Sequence, residues 1–256
     1  QFNGGLTPDG IPLPPLSHEL LADGSVDPNG QFFILGTDRL GRDTLIRLAY
    51  GARVSIVVGF GATAVALLIG VPLGLAAGYF GGKIDALASR ATETAMAMPS
   101  LLFAIGLAAV LGPSLPVVIV VLALFSWYYP ARIVRSSVLS LRGEAFVEAA
   151  IAAGAADARV IWRHLLPQLA APLIVYATSV VAVNVLAESG LSYLGLSVPP
   201  PSPTWGQMLA DGVTTGLYRI EPWVAIIPGL ALVITTLSLN LLADSFREAI
   251  VPGGRG

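Results

Sequence analysis

Four stretches of this chain carry no charged side chain, and no other feature limits its fold as much. Val54 to Gly82, Thr94 to Ala131, Leu165 to Ala187 and Trp223 to Ala243 contain no Asp, Glu, Lys or Arg. A helix needs roughly 20 apolar residues to cross the hydrocarbon core of a bilayer. Each stretch is that long, and the second is long enough for two helices. Gly112-Pro113-Ser114 in its middle is a turn signal, so a tight helical hairpin is expected there. Five spans result. Composition agrees: 12% of the residues are charged and the mean hydropathy is +0.77. Soluble domains carry about 25% charge, which keeps their surfaces in water. The fold class is therefore an all-α membrane protein.

Several functions are excluded. A net charge of -2 leaves no basic face for nucleic acid. With no cysteine there are no disulfides and no thiolate metal sites. A phosphate-binding loop needs Gly-Lys-Ser/Thr, but the one lysine, Lys83, is followed by Ile84. His18-Glu19 lacks the second histidine of a zinc-protease helix, because Ala22 stands there. No catalytic residue, cofactor or metal ligand is assigned. Gln1 to Gln31 is polar and lacks the basic-then-apolar pattern of a signal peptide.

Basic residues orient the spans. Lys83, Arg90, Arg132, Arg135, Arg142, Arg159, Arg163, Arg247 and Arg255 fall on one side, and Arg39, Arg42, Arg47, Arg53 and Arg219 on the other. The richer side is cytoplasmic by the positive-inside rule. Residues 1–50 are then an extracytoplasmic segment and 51–250 the membrane domain. Residues 132–164 form a cytoplasmic loop, and 189–221 an extracytoplasmic one with the stiff run Pro199-Pro200-Pro201-Ser202-Pro203. Gly70, Gly74 and Gly78 recur every four residues, a stripe that lets helix backbones approach.

The cytoplasmic loop reads as two short helices meeting at a bend. Glu144 to Ala153 is rich in helix formers. Gly154 can take the left-handed conformation that ends a helix. Asp157 is a candidate N-cap for the second helix. Small Ala149 and Ala150, next to Glu148, let another backbone come close. Such a protruding element suits docking into a partner's groove, although an Ala-rich helix lying on the membrane has the same pattern. The spacing Glu148-Ala149-Ala150, Gly154, Arg163-His164, Leu166-Pro167 resembles the EAA loop of type I ABC importer permeases, within 143–167. His164 stands at the family's isoleucine position, as in the peptide/nickel branch, and Gln168 departs from the usual Asn. In that family the loop is the coupling helix that sits on the ATPase subunit.

Gly36-Thr37-Asp38-Arg39-Leu40-Gly41-Arg42-Asp43 offers a charge-paired turn, with Gly36 and Gly41 supplying unusual backbone angles. It resembles the GTDxxGRD segment of DppC- and OppC-like C-type subunits in the dipeptide/oligopeptide/nickel family. The residues themselves favour reading the motif as a structural clamp at the membrane surface. Glu188-Ser189-Gly190 to Leu196 and Trp205-Gly206-Gln207 resemble the same subfamily's extracytoplasmic loop. Glu188 ends a span, where an ionisable residue is a functional candidate. Asn184 is a polar residue in the interior of a span. With Trp205, these two are candidates for contact with the pathway or the binding protein.

The resemblance implies a type I ABC transporter transmembrane domain (MetI-like) that forms a heterodimer with a B-type permease subunit. It further implies ABC ATPase subunits that bind ATP and Mg, and an extracytoplasmic substrate-binding protein. Location would be multi-pass in the bacterial inner membrane. The implied work is ATP-driven import of di- or oligopeptides or a related small solute, with no catalysis in this chain. A secondary transporter or channel subunit is the alternative. The family has six spans, so the first family span, missing from the five counted, is expected before Gln1.

Overall fold

The computed structural model describes residues 4–250 and is mostly helical. Strands β1 (Ser17–His18) and β2 (Phe32–Phe33) pair antiparallel, Ser17 opposite Phe33. Helices α1 (Thr44–Phe80), α2 (Gly82–Ala97), α3 (Ser100–Leu111), α4 (Leu115–Leu124) and α5 (Tyr128–Leu141) follow. Then come α6 (Ala145–Ala152), α7 (Asp157–Val160), a π turn (Ile161–Leu165), α8 (Leu166–Tyr193), α9 (Trp205–Thr214) and α10 (Trp223–Ile250).

Three helical runs among the described residues are long and apolar enough to cross a membrane: Thr44–Phe80, Asp157–Tyr193 and Trp223–Ala249. The hairpin turn at Gly112 is present, with φ at 85°. Its arms differ from the two straight spans expected. At 12 and 10 residues, α3 and α4 are too short to cross alone. They reach about 18 and 15 Å at 1.5 Å per residue, against roughly 30 Å of hydrocarbon. Each is continued by a bent neighbour: α2 meets α3 at 85°, and α4 meets α5 at 41°. There are up to five spans if each bent pair is counted as one, and the 85° turn makes α2 and α3 either a broken span or a re-entrant element. The first break follows from Pro99, which bars the helical region to the residue before it. Met98 is accordingly extended, with φ −82° and ψ 133°.

Charge did not end the helices where the sequence suggested. The 83–93 connection is helical as α2, and α5 carries Arg132 and Arg135. Helix α1 starts at Thr44, so the division at residue 50 falls inside it. Asp43 explains that start: its Oδ1 accepts from the backbone N–H groups of Leu45 (2.7 Å) and Ile46 (3.1 Å), as an N-cap does.

The chain packs as two compact units. One comprises Gln1–Val58, Leu111–Val118 and Val185–Leu237, the other Gly59–Val110, Ile119–Asn184 and Ser238–Gly256. In the first, a Cβ on Gly51 would stand 3.0 Å from the Trp205 ring, and one on Gly206 would strike the Ser189 carbonyl oxygen. These glycines thus bring α9 onto α1 and α8. In the second, the Gly70, Gly74 and Gly78 stripe lies against α5. A Cβ there would meet the Trp127 and Ala131 carbonyls and the Val138 side chain. Below the stripe sits a core of Tyr79, Val134, Val138, Val147, Val160, Leu165 and Leu169.

Candidate functional site

The 144–167 element is anchored on one face and open on the other. Val147, Val160 and Leu165 are fully buried in the core just described. Glu148, Ala149, Arg159 and Arg163 are exposed, and Ala150 is half-buried. Large apolar side chains stand in solvent beside them: Phe146, Ile151 and Trp162, the last 70% exposed. Helix α6 ends in a Schellman motif. Gly154 takes φ +79°, its N–H donates to the Ile151 carbonyl (2.9 Å), and the Ala155 N–H donates to that of Ala150 (3.1 Å). Both bonds fix the bend in backbone alone.

Asp157 is the first residue of α7, and the cap position belongs to Ala156. This corrects the sequence reading. The Asp157 carboxylate is taken instead by Tyr79, whose hydroxyl donates to it at 2.8 Å. At the first turn the acid still faces the positive end of the helix dipole. Arg142 lies over the Tyr79 ring at 5.9 Å. The start of the second short helix is therefore tied to the end of α1. Arg163 and half-buried His164 lie in the π turn, with the His164 ring 6.5 Å from that of Phe146. Leu166 and Pro167 open α8. Pro167 cannot donate to the Arg163 carbonyl and crowds it, and a widened turn upstream relieves that crowding.

The 36–43 motif forms a tight turn whose polar groups are used up internally. Gly36 and Gly41 take φ of 71° and 70°. Thr37, fully buried, donates to the Gly5 carbonyl (2.6 Å) and accepts from the Leu13 N–H (2.7 Å). Asp38 accepts from the Leu40 and Arg42 N–H groups and from Arg42 Nε (2.8 Å). It also pairs with buried Arg47. Arg47 lies 3.9 Å from Asp211 on α9, and Arg39 pairs with Asp211 at 3.2 Å. Asp43, expected within the charge-paired turn, caps α1 and accepts from Gln31 Nε2 (2.9 Å).

Trp205, Glu188 and Asn184 are all buried. Trp205 Nε1 donates to the Leu48 carbonyl at 2.9 Å. Glu188 has no exposed surface and accepts from Ser55 (3.0 Å) and Ser197 (2.8 Å). Asn184 donates to Thr63 Oγ1 at 3.0 Å. In this conformation the three act as ties between helices or between a helix and its loop. No group of three or more His, Asp or Glu close enough to hold a metal occurs among the described residues.

Asp211, Tyr79 and Trp162 were not singled out in the sequence as site residues. The first two matter through partners far along the chain, which no local pattern marks. Trp162 did carry a signal, a large aromatic between two arginines on a short helix.

Residues 70–255 match the family described as binding-protein-dependent transport system inner membrane component. The dipeptide transport system permease protein DppC of Alkalihalophilus pseudofirmus is 42% identical over 217 residues, 85% of this chain and 71% of that protein. A putative peptide transport system permease protein of Brucella suis is 42% identical over 228 residues, 88% of this chain and 75% of that one. Among solved structures, an inward-facing MetNI methionine ABC transporter matches with a TM-score of 0.65 at 20% identity, covering 81% of this chain and 97% of that one. An amino acid ABC transporter with histidines matches with a TM-score of 0.60 at 19% identity, covering 80% and 94%.

Proposed function

This chain belongs to the binding-protein-dependent transport system inner membrane components, and we propose that it is the C-type permease subunit of an ATP-driven importer for di- and oligopeptides. Its fold is that of a type I ABC transporter transmembrane domain, and it is a multi-pass membrane protein. The peptide substrate is carried over from the relatives named as peptide permeases.

One observation carries the coupling role. The 144–167 element is anchored through Val147, Val160 and Leu165, while Phe146, Glu148, Ile151 and Trp162 are exposed. Exposed apolar side chains beside charge are the ordinary make-up of a binding surface. In the proposed mechanism, ATP closes two partner ATPases, which bind ATP and Mg. Their movement reaches α6 through this surface. The Gly154 bend and the Tyr79–Asp157 bond transmit it to α1 and α8 as a rigid lever. The pair formed with a B-type permease then opens outward to take peptide from an extracytoplasmic binding protein. The 36–43 turn holds the outer end of α1 while that happens. No step of chemistry falls to this chain.

Reconstitution tests the reading. Proteoliposomes containing this chain, the partner permease, the ATPases and the binding protein should take up labelled dipeptide only with ATP and binding protein present. ATP-independent uptake by this chain alone would restore the secondary-transporter alternative. ATP-dependent uptake of a nickel chelate but no peptide would overturn the substrate and leave the permease role.

A further inference from the structure

We propose that the cleft between α1, α2 and α5 holds the headgroup of one zwitterionic phospholipid, its phosphodiester on Arg132 and its ammonium on Glu93. The cleft has a volume of about 220 Å³ and lies wholly within the second unit. That is below the roughly 300–1,000 Å³ of pockets for drug-sized ligands, so a small group fits it. Leu73, Ala77 and Met96 give it apolar walls, and Arg132 and Glu93 line it with opposite charges.

The neighbouring cation is already engaged. Arg135 is held by Asp85 through two contacts, one at 2.8 Å. Arg132 has no carboxylate partner among the described residues. Its one side-chain contact is Met96 Sδ at 3.8 Å, too weak to satisfy a guanidinium. Among the described residues Glu93 pairs with Arg90, at 3.6 Å with both side chains largely exposed, and its charge also reaches Arg135. Such a pair is readily exchanged for another cation.

The geometry places this cleft where headgroups lie. Helix α2 turns 85° from α3, so with α3 along a span α2 runs in the plane of the membrane surface. It buries none of its residues in the protein and carries Lys83, Asp85, Arg90 and Glu93 among apolar Ile84, Leu87 and Met96. That is the character of a helix lying in the interface. Basic pockets between membrane helices bind anionic headgroup oxygens, and the added acid selects a headgroup with an ammonium. A free peptide has the same pair of charges, a carboxylate in place of the phosphodiester, so the test separates the two sources.

The assembled importer in detergent, stripped of lipid, is titrated with phosphatidylethanolamine, phosphatidylglycerol and a zwitterionic dipeptide, and bound mass is read by native mass spectrometry. One phosphatidylethanolamine per copy of this chain should be retained roughly fivefold better than phosphatidylglycerol, in keeping with the value of a single surface cation. Arg132→Gln should lose that equivalent, Arg132→Lys should keep it, and Glu93→Gln should keep binding but lose the preference. Both positions are exposed, and unchanged thermal unfolding checks that the variants are intact. Undiminished retention in Arg132→Gln overturns the site. Equal retention of the two lipids, unchanged in Glu93→Gln, overturns the zwitterion. Displacement of the lipid by dipeptide overturns the lipid assignment and makes the cleft a peptide site, whatever the importer's substrate proves to be.

Discussion

The 36–43 turn and the 144–167 element each match a sequence motif, yet they spend their polar groups in opposite ways. In the turn, every charge finds a partner inside the chain: Asp38 with Arg42 and Arg47, Asp211 with Arg39, and Asp43 at the start of α1. In the 144–167 element the backbone and the apolar anchor are satisfied, while Glu148, Arg159 and Arg163 stand exposed with Phe146, Ile151 and Trp162. A self-satisfied polar network holds a shape. An anchored element with unspent charge and apolar surface is available to a partner. The difference suggests that one motif is kept for stability and the other for contact, although both are equally visible in sequence.

Variants that move stability without coupling, or the reverse, sharpen this contrast. The largest effect is expected from Arg47→Ala. It leaves Asp38, 8% exposed, without its buried cation. Breaking a buried pair from one side costs about 3–5 kcal/mol where the remaining charge is uncompensated, and less here because Arg42 and two backbone N–H groups still hold Asp38. The thermal midpoint in detergent should drop sharply, while the molecules that remain folded bind the ATPase normally. Unchanged stability would remove the clamp reading.

Gly154→Val comes next. At φ +79° a β-branched residue is strained, which costs about 1–3 kcal/mol. Nothing crowds the position, since a Cβ there meets no atom within 4 Å. The whole penalty therefore falls on the bend. Uptake should fall about tenfold or more, because each 1.4 kcal/mol is a factor of ten, with normal amounts of protein in the membrane. Wild-type uptake would separate the bend from transport.

Much of this arrangement can be read from residues, and the rest fails for identifiable reasons. The uncharged stretches foretell helices because backbone polar groups in lipid must bond to one another. Gly112, Gly154 and the Gly70–Gly78 stripe announce a turn, a helix end and a close packing face, since each depends on a missing side chain. The break at Met98 was signalled by Pro99 and was overlooked, because the uncharged stretch runs straight through it. The break after Leu124 was not legible: Phe125 to Tyr129 contain no Pro, Gly or charge, and hydropathy does not report direction. Asp157 misled for a different reason. Its type suits a cap, but a hydroxyl distant in sequence, on Tyr79, claims the carboxylate. Pairs such as Arg47 with Asp211 exist only once helices have packed.

The smallest effect tests that last tie. Tyr79→Phe removes one hydroxyl and leaves the ring under Arg142. A single neutral-to-charged hydrogen bond contributes about 1.5–3 kcal/mol at most and less where water can replace it, as at exposed Asp157. Stability should change little, and uptake should fall less than in Gly154→Val. A loss exceeding that of Gly154→Val would move the lever's hinge from the bend to the α1 contact.

The contact claim itself is tested most directly at Ile151, which is 46% exposed on α6. A photoreactive residue is placed there in the assembled importer, and the crosslinked partner is identified by mass. The account predicts a product with the ATPase subunit, weakened when Glu148→Arg is added. Crosslinks only to lipid, with full uptake, would contradict it and leave α6 as a helix lying on the membrane.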